Sequence, residues 1–217
     1  MIKRIIFDID NTLIDWKAEY WDCLKNVFDE LNLPYSSEIK AKIQHAVDNY
    51  EDGTNFTYTK ESMMKAIEEE LGYKLPESFF GIWIRYLGMC VPEKADDEVV
   101  YTLQYLKQKY DLVVLSYWFK KSQDERLKRL GLDKYFSTTY MTENIPMKPN
   151  KEAFEIAKGP YEFSECVMVG DSLKTDVSGA VNANMNVIFY DRNNIKINSN
   201  EHIMATIRKF TELTDIL

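Results

Sequence analysis

Two acids stand at i and i+2 in Asp8-Ile9-Asp10-Asn11-Thr12, directly after the apolar run Ile5-Ile6-Phe7. Carboxylates attack as nucleophiles, carry protons and hold hard cations. An apolar run has no packing reason to end in two of them, because unpaired charge is costly to bury. In a strand the two would share a face, and in a tight loop they converge on one point. Alone, the pair reads equally well as a turn, which Asp and Asn make readily. A second acidic pair lies in Gly170-Asp171-Ser172-Leu173-Lys174-Thr175-Asp176, after Cys166-Val167-Met168-Val169. Gly170 lets the chain turn sharply, and Asp176 also suits the start of a helix, as a cap or a dipole partner. Ser116 closes the run Leu112-Val113-Val114-Leu115, and Lys148 precedes Pro149. Singly, these two read as a turn serine and a solvated lysine.

The elements that must position these groups follow from hydrophobic pattern. The three runs above, with Val187-Ile188-Phe189-Tyr190, are continuous rather than alternating and rich in β-branched or aromatic residues. Strands buried on both faces of a parallel sheet read this way. Helical spacing separates them. Val99, Val100, Leu103 and Leu106 share a face after Asp96-Asp97. A second helix runs to Leu127 and Leu130 and stops at Gly131, and Ala153, Phe154 and Ala157 mark a third after Pro149. Alternating strands and helices predict a doubly wound α/β sheet, whose ligands bind beyond the carboxyl ends of the strands. Asp8, Ser116 and Asp171 all fall there.

Residues 15–92 read as helices only. Trp16, Tyr20, Leu24, Phe28 and Leu31 keep helical spacing, as do Ile39, Ile43, Ala46, Val47 and Tyr50, then Met63, Met64, Ile67 and Leu71. Residues 79–90 form a fourth apolar stretch. The expected organisation is a core of residues 1–14 and 93–217 with an all-helical cap, 15–92, inserted after the first strand. His45 falls in a cap helix and His202 in an expected C-terminal helix, neither with a second His or Cys at metal spacing.

Composition narrows the function classes. The chain has 217 residues, 45% hydrophobic and 29% charged, with a net charge of −8. That is too apolar for disorder, and 8 Gly and 6 Pro exclude collagen-like or low-complexity sequence. Nucleic acid needs a basic face, and the balance here is acidic. Residues 15–92 hold 14 acids and 8 bases and so most of the excess. Three scattered cysteines suit a reducing compartment. No signal peptide is visible and no run approaches the ~18 apolar residues of a membrane span, so the expected location is the cytoplasm.

Taken together and in this order, Asp8-Ile9-Asp10-Asn11-Thr12, Ser116, Lys148-Pro149 and Gly170-Asp171 with Asp176 resemble the motifs of the haloacid dehalogenase superfamily. So do Leu130-Gly131-Leu132-Asp133-Lys134-Tyr135-Phe136 and Asp176-Val177-Ser178-Gly179-Ala180. The resemblance spans the core and places the insert where the family has its first type of cap. It implies a Rossmann-like α/β core with an inserted all-helical cap. It also implies a phosphatase in which Asp8 is the nucleophile and Asp10 the general acid and then base. Asp8, Asp171 and the Asp10 carbonyl hold Mg²⁺, Asp176 supports Asp171 or a metal-bound water, and Ser116 and Lys148 bind the substrate phosphate. Asp10 points to phosphoryl transfer, because dehalogenases of the family lack an acid there. Two positions depart from the pattern. Tyr117-Trp118-Phe119 stands where relatives often have Asn and a small residue, leaving Tyr117 open as a phosphate-site or stacking residue. Asn184 replaces a frequent Gly, and Asn also suits a left-handed helix end. The expected activity is Mg²⁺-dependent hydrolysis of a small phosphorylated metabolite, such as a nucleotide or sugar phosphate. The alternatives are a hexose phosphomutase and a non-catalytic binding protein. Neither the substrate nor the oligomeric state is legible.

Overall fold

The computed structural model describes residues 1–52, 58–143, 145–195 and 200–217. Six strands, β1 (Arg4–Phe7), β2 (Asp111–Ser116), β3 (Thr138–Met141), β4 (Cys166–Gly170), β5 (Asn186–Tyr190) and β6 (Ile203–Ile207), form one parallel sheet in the order β3-β2-β1-β4-β5-β6. β1 is central, with Phe7 in register with Val114 on one side and Val169 on the other. The order steps outward in both directions from β1 and β4, so the crevice lies beyond β1, β2 and β4.

The apolar runs are continuous because successive residues enter different cores. Ile5 and Phe7 of β1 pack with Val114, Val167 and Val169 against α5 (Asp97–Leu106) and the C-terminal α9 (Leu213–Ile216). Ile6 packs with Val113 and Met168 against α7 (Lys151–Lys158) and α8 (Ser178–Asn182). Asp96 caps α5, its carboxylate accepting the amides of Glu98 at 2.7 Å and Val99 at 3.4 Å. Gly131, at φ 64°, ends α6 (Lys120–Arg129) in the left-handed conformation, and Asn184, at φ 57°, does the same after α8.

Two strands escape the hydrophobic pattern. β3 and β6 are the sheet's edges and only partly buried, so Thr138-Thr139-Tyr140-Met141 and Ile203-Met204-Ala205-Thr206-Ile207 show no continuous run. The expectation of a C-terminal helix around His202 is thereby corrected. His202 immediately precedes β6, whose half-covered alternation is that of an edge strand.

Residues 15–92 hold α1 (Cys23–Glu30), α2 (Ser37–Asp52), α3 (Lys60–Leu71) and α4 (Phe79–Leu87), and no strand among the described residues. Their core includes Leu24, Phe28, Ile43, Met63, Ile67, Phe79 and Trp83, all fully buried. Phe119 and Met147, from loops at the sheet's carboxyl edge, join the same cluster. The helical unit is therefore seated on that edge by apolar contact. Among the described residues, no helix is long and apolar enough to cross a membrane.

Candidate active site

Three strand ends and two loops bring the sequence-selected residues together. Asp8 follows β1, and its amide donates to the Val169 carbonyl at 3.0 Å, which holds it level with the end of β4. Ser116, the last residue of β2, donates Oγ–H to Asp8 Oδ1 at 3.1 Å. Lys148 Nζ donates to the same Oδ1 at 2.7 Å and to Asp176 Oδ1 at 2.5 Å. Among the described residues no hydrogen bond reaches Asp8 Oδ2. One oxygen is thus tied from two sides and the other is left to act.

Asp171 follows β4 and lies half-buried beside this group. Asp176 sits in the wide helical turn Leu173–Val177, and its Oδ2 accepts the Ser172 amide at 3.1 Å. With both oxygens engaged, Asp176 braces Lys148 and the 171–172 turn. Gly170 makes the approach feasible: a Cβ there would lie 2.2 Å from Asp176 Oδ2. Gly170→Ala is therefore expected to cost about 1–3 kcal/mol and to displace Asp176. The checks are a urea melt and kcat on any hydrolysed monoester, and an unchanged kcat counts against the bracing role.

The Asp10 carboxylate lines the same cavity but is held from α6. Asn11, at φ 59°, turns the loop, its amide bonding the Ile14 carbonyl at 2.8 Å and its Oδ1 accepting the Trp16 amide at 3.1 Å. Asp10 Oδ1 then accepts Arg126 Nη1 at 2.7 Å, and Oδ2 accepts Gln123 Nε2 at 3.1 Å. Sequence reasoning missed both partners, because Lys120–Arg129 reads as a polar surface helix. The available signal was spacing: Gln123 and Arg126 lie on the stripe of Leu127 and Leu130, and both are almost fully buried.

Tyr117 donates its hydroxyl to the Lys148 carbonyl at 2.5 Å, and its ring lies 5.6 Å from Lys148 Nζ. Trp118 adopts φ 76°, a conformation bulky residues rarely hold. Its ring is retained by Trp83 at 5.4 Å, Tyr58 at 6.0 Å and Trp21 at 6.3 Å. Phe119 packs down as the residue before α6, 2% exposed.

The electrostatics are those of crowded carboxylates. Burial pushes Asp8 up to about 7; Lys148 opposes this, while Asp176 and Asp10 add to it. Burial, then Asp176, pushes Asp171 up to about 6. Burial draws the Lys148 ammonium down, but Asp176 and Asp8 outweigh it and leave it above its usual value. One ammonium thus serves several acids. Asp8, Asp171 and Asp176 each present an oxygen, all within 4.8 Å of one another. Hard oxygen donors and uncompensated negative charge fit a divalent cation such as Mg²⁺, which takes one or two carboxylates and completes its shell with other oxygens. Asp8 and Asp171 have oxygens to give, whereas those of Asp176 are spoken for.

Protons and metal compete for these oxygens. Metal affinity is therefore expected to weaken as pH falls through about 6, where Asp171 takes up its proton. Calorimetric titration with Mg²⁺ at pH 5 and 7.5 checks this, and equal affinities would contradict it.

A cavity of about 290 Å³ opens over the group. Its far wall comes from the helical unit: Trp16, Trp21, and Asp48 and Glu51 of α2. Glu51 accepts the Tyr58 hydroxyl at 3.0 Å. Burial, with Asp10 and Asp48 adding to it, pushes Glu51 up to about 7. Nothing in the sequence sets these two acids apart from the solvated acids around them.

Comparison with known proteins finds relatives over most of the chain. The family described as haloacid dehalogenase-like hydrolase matches residues 2–184. YfnB of Bacillus subtilis is 26% identical, over 99% of this chain and 95% of its own. The pyrimidine 5'-nucleotidase YjjG of Escherichia coli is 27% identical over 83% and 82%. The glyceraldehyde 3-phosphate phosphatase of Methanothermobacter thermautotrophicus is 29% identical over 87% and 85%. Among solved structures, magnesium-bound YfnB superimposes with a TM-score of 0.72 at 24% identity, over 99% of this chain and 98% of that one.

Proposed function

The chain belongs to the haloacid dehalogenase-like hydrolases and is a phosphoric monoester hydrolase, and from that premise we propose how its residues divide the work. Asp8 is the nucleophile. The observation that carries this is the asymmetry of its carboxylate, with Oδ1 held by Ser116 and Lys148 and Oδ2 free of hydrogen bonds among the described residues. Oδ2 attacks phosphorus, the ester P–O bond breaks, and an aspartyl-phosphate forms. Asp10 gives a proton to the departing oxygen, then takes one from the water that attacks the aspartyl-phosphate, which restores Asp8 and releases phosphate. Lys148 and Ser116 steady the negative charge of the transferring group. Tyr117 fixes the Lys148 backbone at the phosphate end. Asp8, Asp171 and the Asp10 backbone carbonyl would hold Mg²⁺, with Asp176 supporting them; the bound ion would offset the repulsion between an anionic nucleophile and an anionic ester.

We assign residues 1–14 and 93–217 to the catalytic core and 15–92 to the cap. The substrate is a small phosphate monoester, a nucleotide or a sugar phosphate. A cavity of about 290 Å³ suits a metabolite-sized group, and the relatives named above as phosphatases act on small phosphorylated compounds. The acidic cap, net −6 over residues 15–92, disfavours nucleic acid. Phosphate release from a panel of nucleoside 5'-monophosphates and sugar phosphates, with and without Mg²⁺, tests the reading. Mg²⁺-dependent turnover of a subset is expected, and no release from any monoester would contradict it. Isomerisation of a hexose 1-phosphate without phosphate release would instead mark a mutase.

A further inference from the structure

Arg126 is 2% exposed, and its guanidinium joins three separate stretches of chain. Nη1 donates to Asp10 Oδ1 at 2.7 Å, and Nε donates to the Cys90 carbonyl at 3.1 Å. Its carbon lies 5.3 Å from the centre of the Trp16 ring. Trp16 and Cys90 belong to the two chain segments that lead into and out of the helical insert. Gln123, one turn earlier on α6, donates to Asp10 Oδ2 at 3.1 Å and accepts Arg126 Nη1 at 2.8 Å. One helix of the core thus holds both oxygens of Asp10, and the same guanidinium grips both cap linkers.

A guanidinium is planar, and its donors are fixed relative to one another. The Cys90 carbonyl and the Asp10 carboxylate, bound to Nε and Nη1 of one plane, therefore cannot shift independently while both bonds persist. The arrangement is costly to bury, since Nη2 is enclosed without a hydrogen-bond partner among the described residues. An apolar side chain of similar length would fill the space without that cost. What it would lose is the link between linker and carboxylate.

We propose that Arg126 is a positioning residue that ties the aim of Asp10 to the seating of the cap, holding the carboxylate for proton transfer only while the Trp16 and Cys90 linkers are in place. The inference rests on the reading of Asp10 as the proton carrier. It predicts that loss of Arg126 harms substrates in proportion to their need for a proton. An alkyl phosphate releases a strongly basic alkoxide and needs the acid; 4-nitrophenyl phosphate releases a stable phenolate and does not.

The test compares kcat/KM on a simple alkyl phosphate and on 4-nitrophenyl phosphate, a ratio that reports steps up to cleavage of the ester. Arg126→Met is expected to lower the alkyl value by about 10²-fold, the scale of general-acid catalysis, and the aryl value by less than about 10-fold. Arg126→Lys, which keeps a donor, is expected to recover part of the alkyl loss. In an Asp10→Asn background, Arg126→Met is expected to change the alkyl value by no more than about twofold, because the two act as a unit. Equal losses on both esters, or full additivity with Asp10→Asn, would overturn the proposal. Should the Met variant fail to fold by circular dichroism, the Lys variant carries the comparison alone. The Asp10→Asn protein separates the two levels. If it spares the alkyl ester, the proton-carrier reading itself fails. If it is selective and the Arg126 variants are not, only the positioning role fails.

Discussion

Asp8→Asn is expected to stop phosphate release, with kcat falling at least about 10⁴-fold, on the scale seen when other enzymes lose their nucleophile. An amide keeps the shape and an oxygen for Ser116 and Lys148 but has no charge with which to attack phosphorus. The fold is expected to survive. In the parent, burial raises the Asp8 carboxyl to about 7 from its ordinary 3.8. Between these two values the unfolded chain has released the proton and the folded chain still holds it. Stability from this group therefore falls as pH rises from about 4 to about 7. Asn removes that penalty, so in metal-free buffer at pH 7.5 the variant is expected to melt no lower than the parent. Calorimetric scans of both proteins beside a phosphate-release assay check the two halves. Inactivity with a collapsed melting transition would mean that the variant had merely lost its fold.

Lys148→Met is expected to harm activity and stability together. Lys148 is buried between Asp8 at 2.7 Å and Asp176 at 2.5 Å. Removing one partner of a buried ionic group leaves the others without compensation and costs about 3–5 kcal/mol. Loss of charge opposite the transferring phosphoryl group is expected to cost a further 10²–10³-fold or so in kcat. The stability deficit carries a sign. Without the ammonium, which opposes the rise, Asp8 holds its proton to still higher pH in the folded state, so the variant loses more stability at pH 8 than at pH 5. Asp176→Asn in the same chain is expected to return part of it. Urea melts at the two pH values measure this, and a deficit independent of pH would contradict it.

What the sequence reveals depends on how local the physics is. β1, β2, β4 and β5 are legible because burial on both faces demands uninterrupted apolar residues. β3 and β6 are not, because an edge strand is half-wet and its residues satisfy several structures. The groups at strand ends are legible for a related reason: Asp8, Ser116 and Asp171 interrupt apolar runs at the points where a doubly wound sheet gathers its ligands. Lys148 becomes informative only in their company. Arg126 and Gln123 meet Asp10 across more than 110 residues of sequence. Their polar helix conceals the buried stripe that carries them. Asp48 and Glu51 acquire meaning only once α2 is laid over the sheet's edge, and local pattern does not specify that placement. Trp118 holds a left-handed backbone that local pattern does not announce, because the rings that retain it come mostly from the cap.

The central claim is that phosphate passes through Asp8. Acid-quenched samples taken within the first turnovers of a good substrate with Mg²⁺, digested and weighed by mass spectrometry, test it most directly. The account predicts a phosphoryl increment on the peptide carrying Asp8, absent from the Asp8→Asn protein. Rapid phosphate release with no increment on that peptide, or an increment on another residue, would contradict it.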